Sequence, residues 1–122
     1  MGLYMTHKEW KVVFHTEFET EFDAFVPAVQ DEILKLALLL QHEGPHLGRP
    51  HADTLKGSRH GNMKELRAAA DNGAWRIAFA FDPKRQAILL VAGDKAGVSE
   101  KRFYRTLIAK ADARFEQILK GG

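Results

Sequence analysis

Cysteine is absent from the 122 residues. That excludes a disulfide framework and a thiolate metal site, and it fits a reducing cytoplasm. Also missing is any apolar run of the ~18 residues that a membrane span needs. The longest candidate, residues 33–40, is interrupted by Lys35. No basic segment followed by an apolar one opens the chain, so no signal peptide is expected. Met1-Gly2 with Thr6 fits a myristoylation pattern that is short enough to match by chance; an alternative start at Met5 or a cloning remnant is the plainer reading. Repeats, low-complexity tracts and domain-splitting linkers are lacking too. At 45% hydrophobic the chain is too apolar to be disordered. One domain over residues 1–122 is expected, with residues 1–9 a flexible N-terminus.

What is present is charge, unevenly placed. Residues 1–47 carry three Lys/Arg against eight Asp/Glu, net −5, and residues 48–122 carry fifteen against eight, net +7. The overall +2 hides a dipolar molecule whose second part suits a polyanion. The densest stretch, residues 48–67, holds Arg49, His51, Lys56, Arg59, His60, Lys64 and Arg67 against only Asp53 and Glu65. Nucleic acid is the leading ligand class, and residues 49–64 are expected to form a phosphate-gripping loop.

Periodicity supplies the elements around that stretch. Residues 11–14, entered from Trp10, read as a β-branched and aromatic strand. Thr16 with Glu19 makes a capping box, and Phe18, Phe22 and Phe25 share one helical face as core. Pro27 starts a second helix to about Gln41, with Val29, Ile33, Leu36, Ala37 and Leu40 inside, widened by Leu34, Leu38 and Leu39; Gly44-Pro45 ends it. Strands follow at residues 62–70, 74–82 and 86–93, joined by Asp71-Asn72-Gly73 and Pro83-Lys84-Arg85 as antiparallel hairpins. Ser99 caps a last helix, residues 100–119, lined by Phe103, Leu107, Ile108, Ala111, Phe115, Ile118 and Leu119. This order predicts an α+β domain: an N-terminal strand, an αα-hairpin and a C-terminal helix packed on one face of a mainly antiparallel sheet. The other face should be partly open. Trp75, Ile77, Phe79 and Phe81 alternate as the buried set, which turns Arg76 the other way. With Leu66 and Ala68 inward, Glu65 and Arg67 join Arg76 on the open face.

Two chemistries compete. His42-Glu43-Gly44-Pro45-His46 spells H-E-x-x-H, which holds zinc only when a continuous helix puts both histidines on one face. Pro45 removes a helical hydrogen bond and disfavours helix at Gly44, so a helix end with solvated histidines is preferred and no metal is expected. RNA cleavage instead needs an activated 2′-hydroxyl, a stabilised phosphate and a protonated 5′-oxygen. Glu65, Arg67, Arg76, Lys95, Tyr104 and His60 have the right chemistry if the fold gathers them. The alternative is a solvated sheet face with surface ion pairs.

The runs LKGSRHGNMKELR, AWRIAFAFD, ILLVAGDK and EKRFYRTLIAKAD, in this order, resemble the RelE/ParE superfamily of bacterial type II toxins, most of all its HigB-like, phage Gp49-related branch. The resemblance covers residues 11–119. It implies a cytoplasmic, ribosome-dependent mRNA endonuclease without a cofactor, neutralised by a helix-turn-helix (HigA-like) antitoxin. It places Arg76 on the scissile phosphate, Lys95 at the leaving group, Tyr104 at nucleophile activation and Arg67 in the phosphate cluster. RelE has alternating lysines where this chain has Met63 and Glu65, so Glu65 is either the base or, preferably, a structural partner of Arg67 or Arg76. Arg49, Lys56, Arg59, His60, Lys64, Lys101 and Arg102 are expected to bind RNA, together with Arg105. The alternatives are a ParE-like DNA gyrase poison and a non-enzymatic nucleic-acid-binding module.

Overall fold

Residues 9–121 are described in a computed structural model of the chain. The segment expected to be a flexible N-terminus, except Glu9, and the Met1-Gly2 pattern lie outside the described residues. Strand β1 (Lys11–Phe14) leads into helices α1 (Thr16–Asp23) and α2 (Pro27–Glu43) and a 3-10 turn, Gly44–His46. Strands β2 (Ala52–Thr54), β3 (Met63–Ala70), β4 (Gly73–Phe81) and β5 (Gln86–Asp94) follow, and helix α3 (Glu100–Gly121) closes the chain. The sheet order is β1-β5-β4-β3-β2. Among the described residues only the β1–β5 pair is parallel. The α+β architecture expected from the sequence is the one observed.

Local chemistry departs from expectation at both ends of the helical hairpin. His15, not Thr16, caps α1: its Nδ1 accepts the Glu17 N–H at 3.1 Å, and Thr16 is already helical. The imidazole lone pair does the work foreseen for the hydroxyl. Phe18 is fully buried and meets Phe14, Phe22 and Phe25, with Phe25 reaching Trp75 at 5.0 Å between ring centroids. In α2 the buried set is Val29, Ile33, Leu36 and Leu40, while Leu34 and Leu38 face solvent, so the stripe is narrower than the sequence suggests. The helix stops at Glu43 because Gly44 adopts φ 58°, and a Cβ there would lie 2.4 Å from the Trp10 ring. His42 and His46 therefore do not share a continuous helical face.

The sheet is covered on both sides, which corrects the expectation of helices on one face. Leu66, Ala68, Ile77, Phe79 and Leu89 pack under α1 and α2. Met63, Ala78, Ala80, Leu90 and Val91 pack under Phe103, Leu107, Ala111 and Phe115 of α3. Small and flexible side chains on that second face, two alanines and a methionine, let the helix approach. A β-bulge sets its position: Ala78 pairs with Val91 and Phe79 with Leu89, so Leu90 is extra in β5. The bulge turns both Leu90 and Val91 toward α3. The basic stretch is not a plain loop either, since it contributes the edge strand β2, and Lys64 belongs to β3.

Candidate active site

Register gathers the charged residues at one end of the α3 face. Arg67 stands opposite Arg76 across β3–β4, Arg76 opposite Gly93 across β4–β5, and Asp53 opposite Glu65 across β2–β3. Gly93 lets α3 sit close: a Cβ there would be 3.0 Å from Phe103, the residue before Tyr104. Glu65 is the hub, with its side chain 4% exposed. Its Oε1 accepts the Tyr104 hydroxyl at 2.8 Å and its Oε2 accepts Arg67 Nε at 3.1 Å. Arg76 Nε lies 4.0 Å from Glu65 Oε1, and that buried nitrogen makes no hydrogen bond among the described residues, while Nη1 donates to the Trp75 carbonyl at 2.9 Å. Lys95 places Nζ 5.9 Å from the Tyr104 ring centroid and 3.6 Å from Glu100 Oε1.

The groove beside this hub is lined by Arg49, Asp53, Lys56 and Glu100. Asp53 Oδ2 accepts from Arg49 Nε at 2.9 Å and from Arg67 Nη2 at 3.3 Å, and Oδ1 accepts the Thr54 N–H at 2.8 Å. The Thr54 amide first, then Arg49, hold the Asp53 carboxyl below its ordinary value. Burial pushes the Tyr104 phenol up, and its bond to Glu65 adds to this against the pull of Arg76. Tyr104 is thus a neutral phenol at physiological pH, a proton donor aimed at a buried carboxylate. Two guanidiniums, an ammonium, a phenol and a carboxylate meet here. Together they can hold a phosphate and move protons beside it.

Residues 20–116 match the family model described as phage derived protein Gp49-like (DUF891). The chain belongs to the Gp49-like family. Two Mycobacterium tuberculosis proteins named as toxins are similar to it: HigB3, 56% identical over 66% of this chain and 68% of its own, and HigB2, 51% identical over 66% of this chain. The match spans 40% of the length of HigB2. The fold resembles a mutant of the Escherichia coli toxin RelE in its free state, at TM-score 0.57 and 12% identity over 84% of this chain and 96% of that one. It also resembles the toxin–antitoxin complex RelBE2 of Mycobacterium tuberculosis, at TM-score 0.55 and 15% identity over 73% and 94%. At these identities the structures speak for the fold alone. The resemblance to the HigB-like branch of the RelE superfamily agrees with these matches.

In this Gp49-like protein Glu65, Arg67, Arg76, Lys95 and Tyr104 come together, with Arg49 and Lys56 at the rim. Other expected residues do not join them. Arg59 clamps Glu116 through Nε and Nη2 at 2.7–3.0 Å, and His60 Nε2 lies 2.9 Å from the same carboxylate. Ser58 Oγ and the Arg59 N–H donate to Asp112, which is 2% exposed. This anchor stands about 18 Å along α3 from Tyr104, at the helical rise per residue. Lys64 alternates to the opposite sheet face from Glu65. Lys101 and Arg102 are exposed in the first turn of α3. Sequence reasoning gave no role to Asp53, Asp112 or Glu116. Asp53 sits in a three-residue strand with no periodicity to read, and the partners of the other two are more than fifty positions away.

Proposed function

We propose that this protein is the toxin of a bacterial type II toxin–antitoxin pair, acting in the cytoplasm as a ribosome-dependent mRNA endonuclease. The observation that carries this reading is the convergence of Arg67, Arg76 and Tyr104 on the buried Glu65. Arg76 and Arg67 are the guanidiniums that stabilise the developing charge on the scissile phosphate. Glu65 is too enclosed to meet a ribose directly. The Tyr104 hydroxyl passes its proton to Glu65 as it takes one from the 2′-hydroxyl, which then attacks phosphorus and expels the 5′-oxygen. Lys95, with Nζ 5.9 Å from the Tyr104 ring centroid, protonates that leaving oxygen. Ribosome dependence suits so small a site, because positioning of the message by rRNA supplies much of the rate.

The partner proposed is a helix-turn-helix antitoxin whose binding denies the groove to the message. Induced expression with mapping of mRNA 5′ ends tests the activity, and Arg76→Ala should abolish both cleavage and growth arrest. A folded, equally expressed Arg76→Ala protein as toxic as the parent would overturn the assignment. Induced DNA breaks without transcript cleavage would point to a gyrase poison instead.

A further inference from the structure

We infer that Asp53 is a positioning residue of this site: it holds Arg67 against Glu65 and yields Arg67 in part to the arriving phosphate. The inference rests on the nuclease reading above and adds a residue that the chemistry itself does not touch. Asp53 is fixed from three directions, by its neighbour's amide, by Arg49 and by Arg67. Its strand is the sheet edge, and its place opposite Glu65 follows from the β2–β3 register.

The consequence is two inequivalent guanidiniums. Arg67 is shared between two carboxylates, with Nε on Glu65 and Nη2 within reach of both Glu65 and Asp53. Arg76 keeps an unbonded, buried Nε beside the same hub. A phosphodiester entering the groove meets Arg67 in its wall, and Arg67 takes it by exchanging its Asp53 contact for a phosphate oxygen while keeping Glu65. Asp53 then acts in opposite directions. Its carboxylate orients Arg67, and through it Glu65 and Tyr104, which favours the reaction. The same negative charge lines the groove and repels the polyanion, which weakens binding.

Replacing the charge while keeping the shape separates the two effects. For Asp53→Asn on mRNA-programmed ribosomes, kcat should fall about 10-fold, as expected for a misplaced catalytic group, while KM falls about 3-fold. Asp53→Glu, which restores the charge, should recover part of kcat and raise KM again. A purely structural residue would lower the active fraction without tightening KM. Parent and Arg76→Ala proteins run in the same series keep the two levels distinct. If the parent does not cleave, the nuclease reading fails and the role of Asp53 falls with it. If the parent cleaves and Arg76→Ala does not, unchanged constants for Asp53→Asn overturn the inference alone. So does a loss of kcat with unchanged or raised KM.

Discussion

At the residue scale the site turns on a carboxylate that would be costly to bury alone. Glu65 is 3% exposed, and Arg67 and Tyr104 bond it while Arg76 stands near. Tyr104→Phe removes one of those donors and nothing else of similar size. Cleavage should fall about 100-fold, the usual scale for losing a proton-transfer group, with a stability cost of about 1–2 kcal/mol. Rates on programmed ribosomes and thermal melts measure the two. The pH dependence has a definite sign. The folded Tyr104 pKa is raised above 10.0, by burial first and then by Glu65. Its contribution to stability is therefore complete below the ordinary tyrosine value and is lost as pH rises through the folded one. Between about pH 6 and 9 the phenol does not ionise, so the parent should show no alkaline loss of activity from Tyr104 there. An alkaline limb inside that range that disappears in Tyr104→Phe would contradict the neutral-phenol role.

At the element scale, α3 is what makes the site, and two anchors hold it. One is the Asp112–Glu116 pair gripping Ser58, Arg59 and His60. The other is Arg114, 6% exposed, whose Nη1 donates to the Leu90 carbonyl at 2.7 Å and whose fork meets Glu21 of α1. Pairing of β1 with β5 stops at Phe14–Leu89, so the next carbonyl on the β5 edge has no strand to bond, and the guanidinium takes it. Glu21 is held below its ordinary 4.5, chiefly by its bond to Arg114. A depressed carboxylate stabilises above its unfolded pKa, and that stability disappears as pH falls through the folded value. Glu21→Gln should thus cost about 2 kcal/mol at neutral pH, less than a fully buried pair because the carboxylate is partly solvated. The difference from the parent should close below the depressed pKa in denaturant melts, and a pH-independent difference would exclude the ion pair as its source. Little of this was legible beforehand. Each hairpin strand shows its own face by alternation, so Glu65, Arg67 and Arg76 could be grouped from sequence. Which side α3 takes, where the bulge falls and that residues 52–54 pair with β3 depend on partners far along the chain. Lys95 and Tyr104 were placed by family resemblance, since no local pattern points them at Glu65.

At the scale of the whole molecule, the charge asymmetry survives folding, but its cations divide into spent and free. Arg49, Arg59, Arg67 and Arg114 are all engaged by carboxylates. A basic loop residue reads as available in sequence because its acid partner, here Glu116 for Arg59, lies 57 positions away. Lys101, Arg102 and Arg105 project from the exposed side of α3 near Tyr104 and form no ion pair among the described residues. These three are therefore among the cations able to release counterions when RNA binds, as is Lys56 at the groove rim. Replacing all three with Gln should lower the slope of log affinity for ribosomes against log salt by about 2–3, at 0.7–0.9 per phosphate contact. Arg59→Gln should change that slope by less than about one, because its charge is already neutralised by Glu116. Affinity measured by sedimentation across a salt series decides between the surfaces. If Arg59→Gln flattens the slope as much as the triple variant does, the loop rather than the start of α3 grips the phosphates.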